Sequence, residues 1–177
     1  MFVVLFGIWS LGFGISGSAQ GISREEALAE LYPGADIRVE QIFLTPAQIR
    51  EVAERAGTEP ASALVARYFA SRKGQEAGRA YVDTHVVRTK RESLLISLDA
   101  GGRVMRIDVT AFLEPSEFRA PGPWLRQYRG RALDDDLGIN RAIRPIAGAT
   151  LTARAANDAV RRVLAIDEVL KATGGAR

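Results

Sequence analysis

The spacing of hydrophobic positions changes twice along the chain. Met1 to Ile15 is almost wholly apolar, and no charged side chain precedes Arg24. From Ser23 to Phe69 apolar residues recur mostly at helical spacing. Ser23 with Glu26 three residues later makes a capping box, Ala27, Leu28 and Leu31 give an apolar side, and Pro33-Gly34 stops the helix. Ile37, Val39 and Ile42 to Leu44 read as a strand. Thr45, Pro46 and Gln48 open a second helix with Ile49, Val52 and Ala56 inward and Gly57 at its end. A third helix is expected from about Pro60 to Phe69, with Leu64, Val65 and Phe69 inward, followed by a polar connection from Ser71 to Gly78.

From Arg79 the period becomes two. Ala80, Val82, Thr84 and Val86 alternate with Tyr81, Asp83, His85 and Val87. Ser93 to Leu98 is the next strand, and Asp99 to Gly102 is a turn. Arg103 to Leu113 follows, with Met105, Ile107, Val109, Ala111 and Leu113 expected on one face and Arg106, Asp108 and Thr110 on the other. The pattern predicts an α+β fold: an antiparallel meander with one wet face and helices packed on the other. Glu114 to Gly130 leaves the sheet as a proline-rich ordered loop in which Trp124, Leu125 and Tyr128 form one packed helical turn. Asp134 to Asp136 reads as a solvated turn, since three acids in line do not surround a cation well. A final helix is expected from Thr152 as N-cap to about Lys171, closed by Gly174 and Gly175. Ala156, Val160, Val163, Leu164 and Leu170 point inward, and Arg161 and Arg162 face away.

Composition narrows the chemistry. With no Cys, thiolate metal sites, iron–sulfur clusters and disulfides are excluded; with one His, so is a site built on several. The 24 Lys and Arg against 21 acids form no basic cluster interleaved with aromatics, so no nucleic-acid partner is expected. Met1 to Ile15 is short for a helical span, and the small residues Gly17 and Ala19 follow it at signal-peptidase-like positions. Residues 1–19 therefore read as a signal peptide, with an uncleaved N-terminal anchor as the rival. His85, mid-strand beside Asp83, has no nucleophile pattern around it and reads as structural.

The segment Pro145 to Ala156, PIAGATLTARAA, concentrates the candidate chemistry. Gly148 and Ala149 leave the backbone nearly bare, hydroxyls follow at Thr150 and Thr152, and a helix begins. Free N–H groups and the positive dipole end then face one ligand, which suits an anion. On spacing alone, the segment is more simply a capped helix start, with Thr150 bonded to its own turn. GATLT, with Ala147 before it and an Ala-rich helix after it, resembles the signature of the FMN-binding domain family, which includes the flavin-carrying subunits of the Rnf complex and of the sodium-pumping quinone reductase. The strands at Tyr81 to Arg88 and Arg103 to Leu113, the acidic loop and the Trp-Leu-x-Gln-Tyr-like segment fit the family's order of parts, so the resemblance spans about Gly78 to Leu164.

That resemblance implies a division into an N-terminal helical and strand region, 20–77, and an FMN-binding domain, 78–173. It implies FMN as cofactor, with its phosphate esterified to Thr150 by a dedicated flavin transferase and Ala147, Gly148, Ala149, Leu151 and Thr152 around it. It further implies that Trp124, Leu125 and Gln127 cover the ring and that Glu114 approaches the ring or ribityl chain. The family usually has Ser or Thr where this chain has Ala147, and Asp where it has Arg144; both positions belong to the pattern the transferase reads, and Arg144 instead offers a guanidinium to a phosphate. The expected function is an exported, periplasmic flavoprotein that carries electrons to or from membrane redox partners, with no substrate conversion of its own. The alternative is a flavin-free exported binding or interaction domain, in which the Gly-Ala-Thr turn is only a cap and Trp124 and Pro121 to Pro123 form a protein contact; the plainer readings of Trp124 and Glu114 are a loop anchor and a solvated acid. A Ser or Thr hydrolase has least support, because no Gly-x-Ser-x-Gly elbow occurs.

Overall fold

The computed structural model describes residues 22–174. The signal segment, with Gly17 and Ala19, and the closing Gly175 lie outside the described residues. Among those described, no helix is long and apolar enough to cross a membrane.

Five strands form one antiparallel sheet in chain order: β1 (Asp36–Phe43), β2 (Leu64–Arg72), β3 (Gln75–Val86), β4 (Arg91–Asp99) and β5 (Val104–Phe112). Strands from both sides of Gly78 belong to this sheet, and Gly78 itself lies inside β3. Three helices precede or follow it as the sequence predicts: α1 (Arg24–Leu31), α2 (Pro46–Ala56) and the long α4 (Thr150–Gly174). Both predicted capping boxes form, at Ser23 with Glu26 and at Thr45 with Gln48. The loop after β5 carries 3-10 turns at Ser116–Phe118 and Arg126–Tyr128 around a single helical turn, α3 (Gly122–Leu125).

Four expectations are corrected. The stretch expected as a third helix is β2. Its Val65 faces the α4 side while Tyr68 and Ala70 face the α1 side, so both faces are apolar and no period of two shows. The sheet does not have one wet face: α1 lays Ala27 and Leu28 over Tyr68, Ala70, Ala80 and Leu95. The alternation in β5 is broken by irregular register opposite Ser93–Leu94 and Ser97–Leu98. Val104, Ile107, Val109 and Phe112 therefore pack on the α4 side, whereas Met105 joins the α1 cluster. The fourth correction concerns α4, which begins at Thr150 rather than after Thr152. The Ala149 carbonyl accepts from the Ala153 amide at 3.0 Å, which puts Ala149 at the cap position.

Packing at one glycine fixes α1 on the sheet. A Cβ at Gly78 would run into the Leu98 carbonyl and the Tyr32 ring. Without it, the Tyr32 hydroxyl reaches in and donates toward the carbonyls of Leu98 (2.8 Å) and Arg79 (3.1 Å).

Candidate functional site

Buried charge seals α4 to the sheet. Arg79 and Asp167, each about 2% exposed, form a two-pronged ion pair whose Nη2 to Oδ2 distance is 2.7 Å. The Tyr81 hydroxyl also donates to Asp167, at 2.9 Å, and Glu76 takes another Arg79 nitrogen. One turn back along α4, Arg162 donates to both oxygens of Asp83 at 2.8 and 2.9 Å. Arg162 does not face away from the core as its spacing suggested: it is 6% exposed, because Asp83 on β3 lies opposite and compensates its burial. Arg161, half-buried, is spent on the carbonyls of Ala56, Asp134 and Leu137, so it too is turned inward.

The chain of charges continues along the sheet. His85 contacts Asp83 through Nδ1 at 2.8 Å and Glu92 through Nε2 at 3.1 Å. Burial alone would lower its pKa, but hydrogen bonds to the two carboxylates and their charges outweigh that and raise it to about 9. His85 is thus an imidazolium at neutral pH, donating from both nitrogens. Asp83 is likewise buried, which opposes its charge, but the bonds from His85 and Arg162 hold its carboxyl below the usual range. The row runs Arg162, Asp83, His85, Glu92, and Glu92 Oε1 at its end is buried with no partner among the described residues. Both ring nitrogens of His85 are thus taken up by carboxylates within the sheet.

The other end of α4 is built differently. Ala147 and Gly148 form an exposed turn, Gly148 at φ +77° with open space where a Cβ would be. Ala149 is buried under the turn, its amide held by the Ile146 carbonyl at 3.3 Å. Thr150 is the first helical residue and is exposed, and its hydroxyl bonds to none of the described residues. The turn-hydroxyl reading of Thr150 therefore does not hold in this geometry. Leu151 is 48% exposed beside it. Thr152 is buried, and its hydroxyl donates to the Phe118 carbonyl at 2.7 Å. It is an anchor rather than an N-cap, and only its amide remains in the first turn. The amides of Thr150, Leu151 and Thr152 precede the first residue with an intrahelical acceptor and so point outward from the helix end.

Immediately upstream, a shallow recess of about 600 Å³ is lined by Trp124, Gln127, Arg131, Arg144 and Pro145. Three candidate residues meet there. Trp124 Nε1 donates to the Arg144 carbonyl at 2.6 Å, and Gln127 Oε1 accepts from the Arg144 amide at 3.0 Å. Trp124 is largely buried and stacks edge-on with Tyr128, whose hydroxyl donates to Asn157 of α4 at 3.1 Å. The loop-anchor reading of Trp124 is thus realised, and the same anchoring sets the recess next to the Gly148 turn. Arg131 was missed from the sequence; it is one arginine among many, and only the fold brings it beside Arg144.

Two candidates stand apart from the recess. Leu125 is buried in the main core. Glu114 accepts at Oε1 from the amides of Thr89 (2.7 Å), Lys90 (2.8 Å) and Arg88 (3.3 Å), which closes the β3–β4 turn and lowers the carboxyl pKa. The guanidinium of Arg88 lies 5.3 Å over the Phe118 ring, so this turn borders the same end of α4. Val86 and Leu113, both exposed, add apolar surface at that end of the sheet. The run Asp134 to Asp136 is exposed and turns on its own backbone, with the Asp136 carbonyl accepting from Gly138 and Ala142. Comparison with family models, curated proteins and solved structures finds no match for the chain.

Proposed function

We propose that this chain is an FMN-carrying electron-transfer protein, with the flavin phosphate borne on Thr150. The observation that carries the reading is the exposed, unbonded Thr150 hydroxyl at the head of a long, firmly held helix, behind a turn stripped of side chains. The donor set suits the group. Three outward amides and a helix dipole favour a phosphate, and Arg144 and Arg131 stand on the adjacent recess with no acid partner among the described residues. Leu151 and Trp124 offer apolar cover for a ring, and Gln127 a polar edge. An α+β fold with a five-stranded meander and a long final helix is compatible with an FMN-binding-domain-like architecture. When bound, the flavin would supply reversible electron transfer; the protein's part is to bind, orient and shield it.

On this reading the apolar segment Met1 to Ile15 directs export, a flavin transferase loads the protein, and membrane redox proteins are its partners. A phosphate ester suits a compartment where a lost cofactor is not replaced. The test is co-expression of the full chain with a flavin transferase and a supply of FAD. After denaturation, in-gel flavin fluorescence and a mass increase of one FMN less water should map to the Thr150 peptide and vanish in Thr150→Val. Colour that is lost on denaturation would instead show FMN held non-covalently, with the departures at Arg144 and Ala147 as the reason. A colourless protein under both conditions would sink the flavin reading in favour of a binding domain.

A further inference from the structure

Away from α4, an apolar recess of about 350 Å³ opens between the C-terminal end of α1, the edge strand β5 and the α3 turn. Leu31, Val104, Ile107 and Leu125 supply its walls, and Arg126 and Arg129 stand at its mouth. These two arginines are three apart across a 3-10 turn, the spacing at which side chains in such a turn eclipse one another. Both are exposed, and neither guanidinium has a hydrogen bond or ion pair among the described residues. Of the other charged groups in the lining, Arg106 is ion-paired, whereas Asp99 is held by a backbone amide and has no cationic side-chain partner among the described residues. Arg106 is committed to Asp108 (2.8 Å), Glu30 (3.1 Å) and the Ala27 carbonyl (2.6 Å), and Asp99 accepts from the Arg103 amide at 2.8 Å. Gly122 also lines the recess, and a Cβ there would meet nothing within 4 Å.

We infer that this recess is a binding site for a small amphipathic carboxylate, with a medium-chain alkyl or aryl body in the apolar pocket and its carboxylate on Arg126 and Arg129. The volume falls within the range of small-ligand sites, which are mainly apolar with a few placed polar groups. Paired guanidiniums match a carboxylate in charge and fork geometry. A neutral body of the same size would fill the pocket but leave the two cations solvated, so the site selects acids over alcohols. The inference does not depend on the flavin reading, since the recess shares no residue with the Thr150 turn or the Trp124–Arg144 recess.

Octanoate is the probe, with 1-octanol as its neutral counterpart. Both are titrated into the isotopically labelled full chain below micellar concentrations, with amide shifts and calorimetry as readouts. Octanoate should shift the amides of Val104 to Ile107 and Leu125 to Gly130 and bind at least tenfold tighter than octanol. R126A/R129A should weaken octanoate at least tenfold while leaving octanol unchanged. G122L, which adds bulk at a lining position of ordinary backbone conformation, should weaken both. Equal binding of octanoate and octanol, unchanged octanoate binding by R126A/R129A, or shifts confined to other surfaces would each overturn the assignment. The dispersion of the variants' spectra shows independently that they are folded.

Discussion

The two ends of α4 are held in opposite ways. From Ala159 to Val169 the helix is buried on nearly every side, and its charges are matched by Asp83 and Arg79 on β3. At the first turn Gly148, Thr150 and Leu151 are exposed, the Thr150 hydroxyl bonds to none of the described residues, and Ala149 and Thr152 reach down to the protein. Buried ion pairs are weak evidence for stability, since desolvation opposes their attraction, yet they fix geometry strongly because a mismatch strands a charge. The contrast separates two jobs along one helix: the distal half sets position, and the first turn presents groups that none of the described residues uses.

The largest expected effect breaks the distal half. Arg79→Ala removes the two-pronged partner of buried Asp167, leaving it the Tyr81 hydroxyl and Lys171 at 3.5 Å, and should lower the unfolding free energy by about 3 kcal/mol, read as a shift in the urea midpoint at unchanged slope. A loss no larger than that of a surface substitution would show that water replaces the guanidinium and that the pair does not hold the helix. A pH titration sharpens the same side. The folded-state pKa of His85 is raised to about 9, above the unfolded value of about 6.5. Its contribution is therefore full below pH ~6.5 and falls as pH rises through about 9. Urea midpoints across this window should decline in the native chain and flatten in His85→Gln; parallel curves would remove His85 as the cause.

Smaller effects belong to the presenting end. Gly148→Ala forces a side chain into the left-handed region with no clash beyond it, and should cost about 1–2 kcal/mol. Thr152→Val removes the donor to the Phe118 carbonyl and should cost about 1 kcal/mol. Thr150→Val should change stability by less than about 0.5 kcal/mol while removing any covalently held flavin. A large stability loss for Thr150→Val would erase the contrast, because it would show that the hydroxyl serves the fold.

The sequence made the frame readable where caps, turns or a two-residue period mark an element locally. Both capping boxes, the strands from β3 to β5 and the packed Trp124 turn follow from local chemistry that the structure reproduces. Legibility failed where burial is two-sided. Leu64, Val65, Tyr68 and Phe69 fit a helical spacing as well as an extended one, and only pairing with β1 and β3 decides for a strand. Arg162 failed for a related reason: an arginine on an apolar helix reads as the solvent face unless its distant partner, Asp83, is known. The candidate site was legible as an exposed turn at Gly148, where the signal is local, although Ala149 rather than Thr152 takes the cap position. It was not legible at Arg131, which reaches the Arg144 recess only through the fold of the loop.

The order β1 to β5 is also the order in which the strands are synthesised, and α4 is the last described element to be made. Chains emerge N-terminus first, so the hairpins can pair before α4 exists. Until it docks, Arg79 and Asp83 have no Asp167 or Arg162 to meet, and the apolar face of β3 and β4 lies open. Docking of the final helix is therefore the step that closes the molecule, and the same step brings Thr150 to its finished position. An enzyme that recognised the Gly148 turn only in that setting would modify completed molecules and pass over unfinished ones, making maturation a checkpoint on folding.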